Sequence, residues 1–274
     1  MLRSMYSSVS GLKAQQTKMD VIGNNIANVS TVGFKQGDVY FKEMLAQDLG
    51  RPGNGSPFNK EVGLGVTVSA IDTKFTQGTL QSTGVTLDFA IQGDGMFVIA
   101  PSNYFGGGAP GKVDFADADA TRDLVYTRDG VFRFDNEGYL RTGDGGYVLS
   151  AAGDPITYND TLGNPNGAVA VEKVIGVASF FNYAGLEKVG DSNFKQSEIS
   201  GTPMFGLPGE EMVDAGTGST FINGSVKSGF LEMSNVDLAL EFTNMIVVSR
   251  AYQANSKIIT TSDEMLQELV NMKR

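Results

Sequence analysis

Apolar residues recur at a seven-residue period near both ends of the chain, and nowhere between. Leu2, Met5, Val9, Leu12, Met19 and Ile26 follow alternating steps of three and four, with Gln16 and Gly23 breaking the seam. Met245, Val248, Tyr252, Ile259, Leu266 and Leu269 repeat the pattern, interrupted by Asn255 and Ser262. Such spacing keeps one face of a helix apolar, and a 3.5-residue period is that of helices wound about a partner. The first helix is expected to end within Asn28 to Gly33, where β-branched and turn residues cluster. The second has a capping-box-like entry, Ser234 followed three residues later by Asp237.

Each seam could instead pack on its own domain's core. Three or more heptads at both ends favour pairing of the two helices with each other. Six large apolar side chains per seam contribute roughly 1.5–3 kcal/mol apiece when buried, enough to fasten subunits together. A lone subunit is expected to hold these ends loosely and to order them on assembly.

The intervening sequence has a different texture. GRPGNGSP at 50–57 reads as an extended or mobile connection. TLDFAIQGDGMFVI alternates Leu87, Phe89 and Ile91, turns at Gly93-Asp94-Gly95 and resumes with Phe97 and Ile99, a hairpin signature. Asp129-Gly130, Glu137-Gly138 and Asp144-Gly145 separate further short strands carrying Phe132, Phe134, Leu140, Tyr147 and Leu149, and more strands are expected near Val169 to Phe181 and Phe221 to Phe230. The expected fold class is α+β: paired terminal helices, coiled-coil-like, flanking an inserted, mostly β domain. The expected boundaries are 1–33 with 234–274 for the helical assembly domain, 34–70 for an extended linker and 71–233 for the β domain.

Composition excludes several kinds of chemistry. The 274 residues include no Cys, His or Trp, so disulfides, thiol nucleophiles, imidazole bases and the usual soft metal ligands are missing together. A net charge of −10 argues against nucleic acid as a partner. The excess acid falls on residues 46–233, since the first 45 residues hold five basic and three acidic side chains and residues 234–274 hold four and five. The Asp-Gly pairs do not match a calcium-loop spacing and suit type I′ turns. Ser10-x-x-Lys13 and Ser192-x-x-Lys195 have the spacing of serine acyl enzymes but lack the accompanying motifs. No catalytic residue, cofactor site or metal site is expected, and the chain reads as a non-enzyme. No membrane insertion is expected, because no run approaches the ~18 apolar residues of a span, nor does the N-terminus contain a secretory apolar core.

The two ends also carry a resemblance. MYSSVSGLKAQQ followed by MDVIGNNIANVSTVGFK at 19–35 is similar to the N-terminal signature of the bacterial flagellar rod and hook family. SGFLEMSNVDLALEFTNMIVVSRAYQANSKIITTSDEMLQELVNMKR at 228–274 is similar to the C-terminal one. GVTLDFAIQGDGMFVI and YTRDGVFRFDNEGYL resemble the adjoining β domain. Within the family, Gly23 to Asn28, SNVDL at 234–238, MIV at 245–247 and LVN at 269–271 look more like the hook than the distal rod, although the chain's size overlaps the rod's.

The resemblance implies a structural subunit of the hook, self-assembling into a hollow, bendable helical tube that transmits torque from rod to filament. A distal rod subunit of the same family is the alternative, and a secreted adhesin or ligand-binding β protein a more distant one. The twelve seam residues would be the subunit-assembly contacts. Implied partners are further copies of the chain, the flagellar rod, the hook cap, the hook–filament junction proteins and the type III export apparatus. Export without a cleaved signal to an extracellular position in the flagellum is implied, with Phe41 and Leu45 matching the family's export-recognition element. Flexion is expected to use small shifts between neighbouring β domains, accommodated by residues 50–57.

Overall fold

The computed structural model describes residues 2–50, 60–105, 110–115, 121–158, 171, 174–213 and 220–272. The chain divides into two compact units. One comprises Met1–Ala27, Gly37–Lys74 and Val236–Arg274, and the other Asn28–Gln36 and Phe75–Asn235. Two long helices and a mostly β body give the α+β class expected.

The helical unit contains α1 (Leu2–Ala27) and α2 (Leu238–Met272). α1 stops where the β-branched, turn-rich stretch begins. At the start of α2 the cap is Asp237 and not Ser234: Asp237 Oδ1 accepts the amides of Ala239 (2.9 Å) and Leu240 (3.3 Å), two donors that have no partner inside the helix. Ser234 is instead buried.

Four strands complete this unit: β1 (Gly37–Glu43), β2 (Ala46–Gly50), β3 (Lys60–Gly63) and β4 (Val66–Thr73). β1 pairs antiparallel with β4 from Gly37 opposite Thr73 to Glu43 opposite Val66, and β2 pairs with β3. Residues expected to run as an extended linker are therefore largely laddered. The breaker-rich centre separates residues that pair across up to 36 positions, beyond the reach of any local pattern. Residues 51–57 of GRPGNGSP lie outside the described residues.

This ladder is fastened along α1. Asn25 and Gly37 exchange two hydrogen bonds, Nδ2 to O at 2.9 Å and amide to Oδ1 at 3.0 Å. Further along, the Val66 amide donates to Ser10 Oγ at 3.2 Å. Fifteen helical residues rise about 22 Å and seven strand residues about 23 Å, so the β1–β4 ladder and α1 match in length between the two anchors.

The β unit is built on β7 (Met96–Ala100), whose five residues are all buried. In its main sheet, order β13-β14-β8-β7-β11-β10-β9, the other members are β8 (Val125–Thr127), β9 (Phe132–Phe134), β10 (Leu140–Thr142), β11 (Tyr147–Val148), β13 (Glu187–Gly190) and β14 (Asn193–Lys195). β12 (Val177–Ser179) also pairs with β7, and β15 (Met204–Gly206) with β12. Because side chains alternate along a strand, β7 supplies two cores. Phe97 joins Phe89, Ile91, Phe132 and Leu140; Met96, Val98 and Ala100 join Tyr126, Leu149 and Phe180.

The Gly-containing turns divide into two kinds. Glu137-Gly138 joins β9 to β10 and Asp144-Gly145 joins β10 to β11, and both strand pairs are laddered as expected. Gly93-Asp94-Gly95 does not close a hairpin. The strand before it, β6 (Phe89–Gln92), pairs with β18 (Ser225–Ser228), while β7 pairs with β8, β11 and β12. Asp129-Gly130 likewise separates β8 and β9, which pair elsewhere. These two glycine turns are corners at which the chain changes partners. Alternation identifies a strand but says nothing about a partner more than 130 residues away.

Candidate assembly site

The helical unit presents the candidate site. α1 and α2 pack along each other, and they come close at Gly11, where a Cβ would lie 2.8 Å from Asn255 Nδ2. Glu241 acts on Lys74, which holds Asp38 at 2.9 Å beside the Asn25–Gly37 anchor. Glu241 and Asn255 are separated by as many residues as Gly11 and Asn25, so the helices run antiparallel in register. The Asp38 hydrogen bond raises the Lys74 pKa. Burial pushes Asp38 up, but Lys74 and the Val39 amide together hold it below its ordinary value.

The most buried face of α1 is small and polar: Ser8, Gly11, Ala14 and Asn25, with Ile22 the large apolar member. Residues three apart share a helix face, so Ser8, Gly11 and Ala14 form a flat strip that lets α2 approach closely. The expected seam lies to one side of it. Met5, Leu12, Met19 and Ile26 are half-buried, and Val9 is exposed. Leu2 opens the helix, its side chain outside the described residues. On α2, Val248 is buried, Met245, Ile259 and Leu266 are half-buried, and Tyr252 and Leu269 are exposed. Thus on α1 the large seam residues lie to one side of the most buried face, whereas on α2 the seam residue Val248 is itself buried.

A second apolar series on α2 went unread in the sequence. Leu240, Val247, Ile258, Met265 and Met272 are 51, 61, 43, 47 and 76% exposed. Their steps of seven, eleven, seven and seven residues return to one helix face, so the series is written in the sequence as two heptad runs joined by an eleven-residue step. Phe41, of the expected export element, lies in β1 opposite Val68 under the Lys18 ammonium, 5.7 Å from its ring; Leu45, between β1 and β2, is 87% exposed.

The β unit holds a buried ionic cluster. Glu232, at the end of β19 (Phe230–Glu232), is fully buried. Its Oε1 accepts Lys35 Nζ at 2.6 Å and the Gly78 amide at 2.8 Å, and its Oε2 accepts Arg128 Nη1 at 2.9 Å. Lys35 also donates to Thr76 O (2.9 Å) and Arg128 Nη2 to Gly93 O (2.7 Å). Burial and the nearby Arg128 guanidinium push the Lys35 pKa down against the pull of Glu232. Every carboxylate oxygen is bonded, which is the condition for burying a charge. Among the described residues, no group of carboxylates is arranged to hold a metal ion, and no helix is long and apolar enough to cross a membrane.

Comparison with known proteins bears on exactly these parts of the chain. A family model described as "Flagella basal body rod protein" matches residues 5–35, and one described as "Flagellar basal body rod FlgEFG protein C-terminal" matches residues 227–272. The flagellar basal-body rod protein FlgG of Bacillus subtilis is 45% identical, with all of both chains covered. The chain belongs to the flagellar rod and hook family. The FlgG rod protein of Borreliella burgdorferi is 34% identical over the whole of both chains. The flagellar hook protein FlgE of the same organism is 28% identical, also over both whole chains, but its alignment extends to 457 positions where that of the Bacillus rod protein takes 294. As a rod/hook family member the chain is an axial structural protein of the flagellum. All of α2 and α1 from Met5 onward fall within the two matched segments.

Proposed function

We propose that the chain is the distal rod subunit of the flagellum, a homopolymer unit whose terminal helices form the subunit contacts. One observation carries the choice of rod over hook: rod relatives of 45 and 34% identity match it end to end with few gaps, whereas the hook relative needs long insertions. The hook, favoured by short terminal motifs, becomes the second reading. Those motifs sample a part of the chain that both proteins share.

Polymerisation follows from what α1 and α2 leave uncovered. The intrachain contact uses a strip of small residues, so the half-buried seam of α1 and the exposed Leu240–Val247–Ile258–Met265 series of α2 remain for neighbouring copies. Head-to-tail contacts that do not close on themselves generate a helical filament. The seam residues, from Leu2 to Ile26 and from Met245 to Leu269, are proposed as flanks of that interface. Neighbouring rod and hook proteins would meet the ends of the polymer, outside the cell membrane, and the flagellar export apparatus would deliver the subunit without a cleaved signal.

Electron microscopy of basal bodies carrying an epitope-labelled chain tests the assignment. Label on the shaft between the membrane-proximal rod and the hook is the expected result. Label along the curved hook would overturn the rod reading in favour of the hook.

A further inference from the structure

The buried cluster of the β unit is assembled from the whole length of that unit. Lys35, Gly78 and Arg128 precede Glu232 by 197, 154 and 104 residues. Among the described residues Glu232 is the only anion bonded to the two cations, which are themselves almost completely buried, at 1 and 3% side-chain exposure. A chain made from its N-terminus acquires both cations long before it acquires the carboxylate.

The strands that deliver Glu232 arrive equally late. β18 supplies the strand partner of β6, and β19 that of β5 (Leu80–Ser82). Val226 enters the core beside Phe89 and Ile91. The Glu232 carbonyl accepts the Gly33 amide at 2.8 Å, and the Met233 amide donates to Thr79 O at 2.9 Å. Until residues 225–233 are present, β5 and β6 lack these partners, and closing the fold would bury Lys35 and Arg128 beside each other with no counter-charge. An unpaired buried charge is strongly unfavourable, and like charges brought together oppose the collapse further.

We propose that Glu232 is a closure latch: Lys35 and Arg128 hold the β unit open until the last strands bring in the carboxylate that locks it. α2 begins at Leu238, six residues beyond the latch. Closure of the β unit is thereby timed to the emergence of α2. The inference holds for a rod or a hook subunit alike. Its physical basis is that contacts closing loops of more than 100 residues form late, because loop-closure entropy must be met before they reward the chain.

Stopped-flow folding and unfolding of the full chain tests it, comparing wild type, Glu232→Gln and the charge-free Lys35→Met/Arg128→Met/Glu232→Leu. The latch predicts that Glu232→Gln, which leaves both cations to be buried without their counter-charge, refolds at least ~10-fold more slowly than wild type and unfolds faster. Should Glu232→Gln not fold at all, the charge-free variant must still fold, and must refold at least as fast as wild type. Refolding of Glu232→Gln within ~3-fold of wild type would overturn the latch. So would a charge-free variant that fails to fold or refolds more slowly than wild type.

Discussion

Gly11 on α1 faces Asn255 on α2 so closely that a single added carbon would sit 2.8 Å from the amide nitrogen. The atom in the way is the tip of a side chain able to turn aside, and alanine favours helix over glycine by about 1 kcal/mol. Gly11→Ala is therefore expected to change stability by less than ~1 kcal/mol. Gly11→Leu forces the helices apart and is expected to destabilise by roughly 1–3 kcal/mol. Thermal melts followed by helix circular dichroism check both, and equal melting of the two variants would contradict the close crossing.

Val247 sits in the middle of the exposed α2 series, 61% accessible in the single subunit. Replacing it by Glu places a charge where neighbouring copies would meet, without touching the intrachain contact. Val247→Glu is expected to leave the melting temperature of the monomer nearly unchanged, since exposed substitutions move stability by about 0.5 kcal/mol or less. Filament formation, followed by sedimentation and electron microscopy, should be lost. Normal filaments from this variant would remove the series from the interface.

Gly130 marks the corner between β8 and β9. A Cβ there would lie 1.7 Å from the Phe89 carbonyl oxygen, a backbone atom that also belongs to the β6–β18 ladder. Nothing flexible can yield, so Gly130→Ala must displace a strand of the core and is expected to cost more than ~3 kcal/mol. Gly145, whose added Cβ would meet nothing within 4 Å, provides a contrast. Its positive φ of 81° makes Gly145→Ala strained, but only by about 1–2 kcal/mol. Urea unfolding of the two variants should rank them in that order.

Tyr126 is fully buried, with burial alone pushing its phenol well above the ordinary pKa of 10.0. The folded state therefore keeps this proton when the unfolded state has begun to lose it. Its contribution is complete below pH 10 and declines as the pH rises above it. The hydroxyl makes only a long 3.4 Å hydrogen bond to Thr121 O, so Tyr126→Phe loses little at neutral pH. The variant should unfold at a higher pH than wild type in an alkaline titration monitored by fluorescence or circular dichroism. An unchanged alkaline midpoint would show that Tyr126 does not govern that limb.

The seams of three- and four-residue steps were sufficient to locate α1 and α2, because helix periodicity is a property of neighbours along the chain. Turn glycines at 138 and 145 were legible for the same reason: each joins strands only a few residues apart that pair with each other. Even the cap of α2 needed only a shift from Ser234 to Asp237 within one motif.

Other features depended on partners that no local window contains. β6 and β7 flank a hairpin-like Gly-Asp-Gly, yet β6 finds its mate at Ser225–Ser228, and the choice is made by which strands fill the common core. The most buried face of α1 follows Ser8, Gly11 and Ala14 rather than the large seam, and at Gly11 an added Cβ would already meet the Asn255 side chain of α2. No local motif marks Lys35, Arg128 and Glu232 as partners. Tertiary structure alone joined them, since burying an ion is tolerable only where chain segments more than 100 residues apart converge to satisfy it.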